Sequence, residues 1–350
     1  MAFSLRVDVM RFLIYQFKIL IVSIILPTMI IAAPITPNDE AIIATSNVTH
    51  SNLLTVEEIN LLVTNSQYVG QTERLQGFLK LRLSQLYEQK ATPEIGFLYA
   101  KVLQKEHLFN EAINIAKKVL KTEPYHSNSH LLLANIYMNQ GKFKAAKEHC
   151  IALIGKISLI TTSSCVLDVQ SQHGNVLESY QALVKIINTK PTSLETNHIL
   201  SEMSYRLQNY EQALEHIKNT DLANSPVSLI VLWADIQIAL NQPQLVLNTL
   251  SDLLLNKNNL EDAILLRLAI AENKMNKNEQ KWQNIMAKRV KLREQRKDIF
   301  HAGDLAKYYL TVQPNRSKAI YWAHLNWQQA KLSTDKQLIS QAKAMPRVTL

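Results

Sequence analysis

Cys150 and Cys165 are the only cysteines in the chain, fifteen residues apart. Such a pair has three chemistries open to it. It can be a disulfide in an oxidising compartment, two reduced buried thiols, or, with His149 and His173, part of a metal site. The spacing matches no zinc pattern, and His149, directly before Cys150, points to a different helix face. The disulfide is the leading reading; closing so short a loop stabilises by roughly 3 kcal/mol through lost chain entropy. Adjacent carboxylates, which acid–base catalysis uses, occur at Glu57-Glu58 and Glu261-Asp262. Both sit in charged helix starts, where acids favour the N-terminal dipole. No HExxH, G-x-S-x-G, phosphate-loop or dinucleotide signature occurs. The expectation is a chain that is not an enzyme, with no cofactor and no metal.

The positive charge is concentrated. Between Asn273 and Phe300 nine basic residues face only Glu279, Glu294 and Asp298, within a chain of net charge +9. A basic helix over 281–297 suits an acidic partner or an anionic membrane surface, or is a solvated face. Nucleic acid fits the charge but conflicts with export.

Export is read from the first 33 residues. Arg6, Arg11 and Lys18 precede an uncharged apolar stretch, Ile19 to Ala33, of the length of a signal-peptide core and short for a bilayer span. Ala32 and Ala33 offer small residues for cleavage, whereas Ile30, Ile31 and Pro34 do not favour it. A cleaved signal peptide and an uncleaved anchor both remain open. The expected location is the periplasm, soluble or tethered to the inner membrane. Residues 34–55 are polar, Pro-bearing and aperiodic, and read as a linker.

From Val56 onward, to about residue 345, helical periodicity is nearly unbroken. Seven glycines in 350 residues argue against β-sandwiches and phosphate loops. Small residues recur at a fixed period: Ala100, Ala134, Ser201 and Ala234, and again Ala112, Ala146, Ser179 and Ala213, with Val246 next. Pro124 and Pro191 fall between repeats; Gly141, Gly174 and Asn241 fall where a helix must turn. This pattern resembles the tetratricopeptide repeat, a 34-residue helix–turn–helix unit. The best copy, 127–160, places Leu133-Ala134, Tyr137, Gly141, Phe143 and Ala146 in the motif's slots. The copy at 93–126 has His107 at the turn glycine, and copies at 160–193, 194–226 and 227–260 are weaker. The resemblance implies an all-α, right-handed superhelical solenoid of five to seven antiparallel helix pairs, ending in a cap near Gln337–Met345. The aromatics Tyr308, Tyr309, Tyr321, Trp322 and Trp327 then read as core.

The resemblance also implies a docking surface. First helices of such arrays line a concave groove that takes a peptide or helix of another protein. By register the lining comprises Lys101, Lys105, Asn135, Met138, Asn139, Asp168, Tyr205 and Arg206, with Gln104, Gln172 and Glu202 among their neighbours. Asn135 and Asn139 stand one turn apart, and their amides suit a peptide backbone. The family's clamp for a terminal carboxylate is not matched: its slots hold Phe97, Lys101, Leu132, Thr161 and Cys165. The expected function is a non-catalytic protein-binding scaffold of the cell envelope. The alternative is a membrane-tethered accessory factor of envelope assembly or secretion, using the basic helix against anionic lipid.

Overall fold

A computed structural model describes residues 54–71, 76–187, 192–257, 261–275 and 280–347. The export segment and nearly all of the 34–55 linker lie outside them. The described chain is all-α: antiparallel helix pairs α1 (Val56–Asn65) and α2 (Gln76–Gln89), α3 (Pro93–Lys105) and α4 (Phe109–Thr122), α5 (Ser127–Asn139) and α6 (Phe143–Ile151), α7 (Leu159–Gln172) and α8 (Val176–Ile187). They continue as α9 (Leu194–Arg206) and α10 (Tyr210–Ile217), α11 (Val227–Ala239) and α12 (Pro243–Lys257), α13 (Asp262–Lys274) and α14 (Lys281–Gln295), and α15 (Ala302–Thr311) and α16 (Arg316–Gln329); α17 (Ser333–Ala344) closes the array. No helix among the described residues is long and apolar enough to cross a membrane.

Local chemistry fixes where these helices begin. Side chains placed one repeat apart accept the first free N–H groups: Thr92 Oγ1 from Ile95 (3.3 Å), His126 Nδ1 from Ser129 (3.2 Å), Ser158 Oγ from Thr161 (3.1 Å) and Ser193 Oγ from Thr196 (3.3 Å).

Helix ends obey the same period. His107 (φ 60°), Gly141 (72°), Gly174 (123°), Gln208 (61°) and Asn241 (58°) all adopt the left-handed conformation. The residue after each donates its N–H back into the helix just ended: Leu108 to Leu103, Lys142 to Tyr137, Asn175 to Gln170, Asn209 to Ser204 and Gln242 to Gln237, at 2.8 to 3.3 Å. This closure satisfies carbonyls that would otherwise be orphaned. At His107 and Gln208 the chain makes the turn without glycine, so the hydrogen bond and the packing behind it outweigh a left-handed cost of roughly 1–2 kcal/mol.

Small residues let the two helices of a pair cross closely. Ala100, Ala112, Ala146, Ser201, Ala213 and Ala234 are sealed from solvent, and Ser201 Oγ donates to the Ala213 carbonyl across the crossing (2.8 Å). A Cβ on Gly96 would stand 2.6 Å from Val119 Cγ2, which measures how tightly α3 lies on α4.

The core is a seam of neighbouring clusters, not one central mass. One is built from α1–α3, a second around Leu103, Ile136 and Val169, a small one at Leu183, Leu200 and Met203, and the largest from α10 to α17. Tyr308, Tyr309 and Trp322 are buried in the last, as expected; Tyr321 is 56 % exposed and is not core. Between α6 and α7 the structure brings Cys150 and Cys165 to disulfide distance, with sulfurs 1.97 Å and Cα atoms 5.6 Å apart. His149 turns away from them onto His130 (Nδ1 to Nδ1 3.0 Å) and stacks on Tyr137. Among the described residues no group of three His, Cys, Asp or Glu side chains is arranged to hold a metal.

Three turns reach back across the array. The turn after α1 meets the start of α11: Val227 N–H donates to the Gln67 carbonyl (3.0 Å), and Gly70 N–H to Glu261 Oε1 (3.3 Å). Phe300, in the turn before α15, stacks on His107 with centroids 5.1 Å apart. The turn between α16 and α17 lands on the ends of α5, α7 and α9.

Candidate binding surface on the first helices

That last landing is built from few contacts, each specific. Lys331 N–H donates to the carbonyl of Asn139 (2.7 Å), at the end of α5. Ser333 Oγ donates to Gln172 Oε1 (2.9 Å), and Arg206 Nη1 donates to Ser333 Oγ (3.2 Å). Arg206 also holds Ser171 by its carbonyl (3.1 Å) and hydroxyl (2.5 Å). Leu332 packs on the apolar cluster of α3–α7. The ends of three first helices are therefore occupied by the chain itself.

The remaining residues expected along this surface divide into two groups. Lys101, Lys105, Asn135 and Asn139 stand together at the α3–α5 end. Asn139 Nδ2 donates to the Asn135 carbonyl (2.9 Å), and Gln104 Nε2 donates to Asn135 Oδ1 (3.3 Å), so the amides form a ladder across two helices. Met138 does not line it; its side chain is buried in the α3–α7 core. Asp168, Tyr205 and Arg206 belong to the occupied part. Burial pushes the Asp168 carboxyl up to about 7, with Glu202 adding and Arg206 opposing. Tyr205 packs on Tyr210, and burial, with Asp235 nearby, raises its hydroxyl above the ordinary value.

Beside the amide ladder lies an open cleft of about 380 Å³, walled by Val63, Ser66 and Gln67, by Lys101, Gln104 and Lys105, and by Asn139. A second cleft of about 280 Å³ shares His107 and Phe109 with it and adds Asn110, Gln140, Gln328, Gln329 and Lys331. Both are walled by segments from distant parts of the chain. A wider hollow of about 880 Å³ between α6 and α7 is lined only by residues 141–148 and 169–175. Burial lowers the Lys101 amine, and burial holds Lys105 at about 8, Glu261 opposing and Lys101 adding. Lys105 donates to the Ser66 carbonyl. Amide and ammonium donors converging on half-enclosed space can bind carbonyl and carboxylate oxygens; no nucleophile–base pair is assembled there.

Register along the repeat placed Lys101, Lys105, Asn135 and Asn139 on this surface. It gave no sign of Ser66, Gln67, Gln328, Gln329 or Lys331, which arrive from outside the repeats that they face.

A charged network occupies the other half of the first-helix side. Arg267 of α13 grips Asp235 of α11 with Nε (3.1 Å) and Nη2 (2.9 Å) and reaches Asp304 of α15 with Nη1 (3.2 Å); Lys307 Nζ lies 2.8 Å from Asp235. Burial alone would raise Asp235, but Arg267 and Lys307 outweigh it and hold the carboxyl well below its usual range. The spacing of these acids and bases gave no local signal either.

Residues 103–156, from the end of α3 into the turn after α6, match the family model described as Tetratricopeptide repeat. This is a tetratricopeptide-repeat fold. The left-handed turn residues, 33 or 34 positions apart, carry the same repeat from α3 to α12. Among solved structures the chain is similar to the apo quorum sensor NprR of B. thuringiensis (12 % identity, TM-score 0.46, 83 % of this chain and 88 % of that one). It is also similar to a tetratricopeptide repeat protein of Parabacteroides merdae (16 %, TM-score 0.42, 75 % and 98 %). A third likeness is to a chain of the APC/C Cut9-Hcn1 hetero-tetramer (12 %, TM-score 0.43), of whose length this chain spans about half, 49 %. No curated protein matches. The tetratricopeptide repeat is a protein-interaction fold, and the 380 Å³ cleft lies mainly against its first helices α1 and α3, the 280 Å³ cleft against α4 and α16.

Proposed function

We propose that the chain is a non-catalytic scaffold that docks an extended segment of another protein in the clefts beside Gln104, Asn135 and Asn139. One observation carries this reading: polar donors wall two adjoining clefts, Lys101, Gln104, Lys105 and Asn139 around the one beside the first helices, and Gln328 and Lys331 around the next, which shares His107 and Phe109 with it. An extended peptide presents carbonyls at regular intervals, and amide side chains meet both its donors and its acceptors. The turn at Lys331–Ser333 bounds the groove, so a partner occupies only the α3–α5 end unless that turn is displaced. The setting is the cell envelope, supported by the apolar, basic-led N-terminal sequence.

Photo-crosslinking residues at Gln104 and at Asn135 test the reading against one at Lys118, exposed on the second helix α4. The inner positions should capture one common protein that Lys118 does not, and Asn135→Ala with Asn139→Ala should diminish its capture. Equal labelling from Lys118 refutes the groove. Sequencing of the N-terminus of the exported protein decides between release and tether: a start near Ala33 or Pro34 means release.

A further inference from the structure

The structure sorts the basic residues of α14 into two sets. Trp282, Met286 and Val290 face the core. Arg293 turns inward beside them, donating from Nε to Asp262 Oδ2 (2.6 Å) and from Nη1 to Asp298 Oδ2 (2.5 Å), while Arg289 stands 3.7 Å from Asp262. The acids are spent inward as well: Glu294 accepts from Tyr309 (2.8 Å) and Lys318 (3.0 Å), and Asp298 pairs with Arg293 and His301. What remains outside is Lys281, Lys288, Lys291, Arg296 and Lys297, all exposed. Among the described residues no acid pairs with any of the five.

At 100° per residue, Lys281, Lys288, Lys291 and Arg296 fall within about 140° of the helix wheel, on a ridge roughly 22 Å long. Leu292 stands among them, 38 % exposed. We propose that this ridge is a docking surface for an anionic lipid bilayer. Charge complementarity carries the proposal: a straight row of cations, with no outward acid among the described residues of the helix, fits a negatively charged plane, and the exposed leucine can enter its interface. The shape disfavours a peptide, which needs a cleft. The absence of an outward aromatic on this face disfavours single-stranded nucleic acid, since Trp282 is buried. The uncharged apolar run at Ile19–Ala33 directs the same chain towards a membrane. This surface is separate from the cleft of α3–α5 and does not depend on what binds there.

Co-sedimentation of the full chain tests it, with phosphatidylcholine vesicles against vesicles containing about one third phosphatidylglycerol. The quantity read is the gain on anionic over neutral vesicles, which removes the apolar contribution of the N-terminal sequence; the charges of Arg6, Arg11 and Lys18 are common to the parent and both variants and cancel in their comparison. The triple variant Lys288→Glu, Lys291→Glu, Arg296→Glu should lower that gain by more than about tenfold. A second triple variant, Lys118→Glu, Lys121→Glu, Lys144→Glu, carries the same change of net charge on exposed positions elsewhere and should keep most of it. All six side chains are exposed, and unchanged thermal melts verify that both variants fold. Equal losses in the two variants, or no loss in the first, overturn the proposal. So does a ridge-dependent interaction with polyglutamate or RNA when the parent shows no gain on anionic vesicles.

Discussion

The N–H of Lys331 donates to the carbonyl of Asn139 across 2.7 Å, joining residues that lie between five and six repeats apart in the chain. The Asn139 carbonyl belongs to the last turn of α5, where helices leave acceptors unpaired. An acceptor of this kind is an obvious point for a partner's backbone, and here the chain supplies the donor. The inner surface is therefore set by two scales: the repeat places Asn139, and the cumulative curvature of the array brings Lys331 to it.

Gly141 tests this seating. A Cβ there would stand 2.9 Å from Lys331 Cβ, whereas Gly155, with the same φ of +72°, has nothing within 4 Å. Both Gly→Ala changes incur the left-handed cost of roughly 1–2 kcal/mol. Gly141→Ala should lose about 1 kcal/mol more, because the turn must also shift. Urea midpoints of the two variants measure the difference, and identical values mean that the turn does not rest on α5.

Periodic small residues and turn positions made the helix-hairpin fold readable, because each hairpin is specified within its own 34 residues. Gly141, Gly174 and Asn241 announce their turns by type; His107 is placed at its turn by register alone, and Gln208 is revealed only by its backbone and the hydrogen bond from Asn209. On the candidate site, Lys101, Lys105, Asn135 and Asn139 follow from register alone. Met138 lies on the adjacent side of its helix, where a small rotation decides between groove and core, and it packs inward. Gln328, Lys331 and Ser333 were illegible for a different reason: a local pattern carries no information about where a superhelix closes.

The cysteine pair gives a second prediction. At a sequence separation of 15, the cross-link contributes about 3 kcal/mol if formed. In protein from an oxidising compartment, both thiols should resist alkylation until reduced, and the intact mass should be two hydrogens below that of the reduced chain. Cys150→Ser with Cys165→Ser should lower the melting temperature by several degrees. Free thiols that alkylate in the folded, unreduced protein contradict it.

Arg267 is 6 % exposed and is shared by Asp235 and Asp304. Arg267→Met should cost about 3–5 kcal/mol, because it strips Asp235 of its bidentate partner inside the protein. Adding Asp235→Leu should recover part of that loss, since the stranded Asp235 charge is then gone and Lys307 still has Asp304 beside it. The Asp235 carboxyl is depressed in the folded state, so its stabilising contribution is complete above the ordinary carboxylate range and is lost as pH falls through the folded value. Melting curves of the single and double variants near neutral pH measure the coupling; a double variant no better than the single one removes the pairing argument.

Asp168 predicts the opposite slope in a different pH window. Its folded pKa stands at about 7 against an ordinary 3.8, so the folded protein holds the proton more tightly than the unfolded chain does. The resulting stability is complete below the ordinary value and is lost as pH rises from about 4 to about 7. Burial is the main cause, and Glu202 faces the same space; Arg206 opposes them while also holding the turn through Ser333. Asp168→Asn keeps the shape and removes the charge. It should therefore raise stability at about pH 8 by about 2 kcal/mol or more relative to the parent, with the gain shrinking as pH falls and little effect left below about pH 4. Should the variant be destabilised at the higher pH, the carboxylate serves Arg206 more than it suffers from burial, and the α7–α9 end of the groove is held by an ion pair.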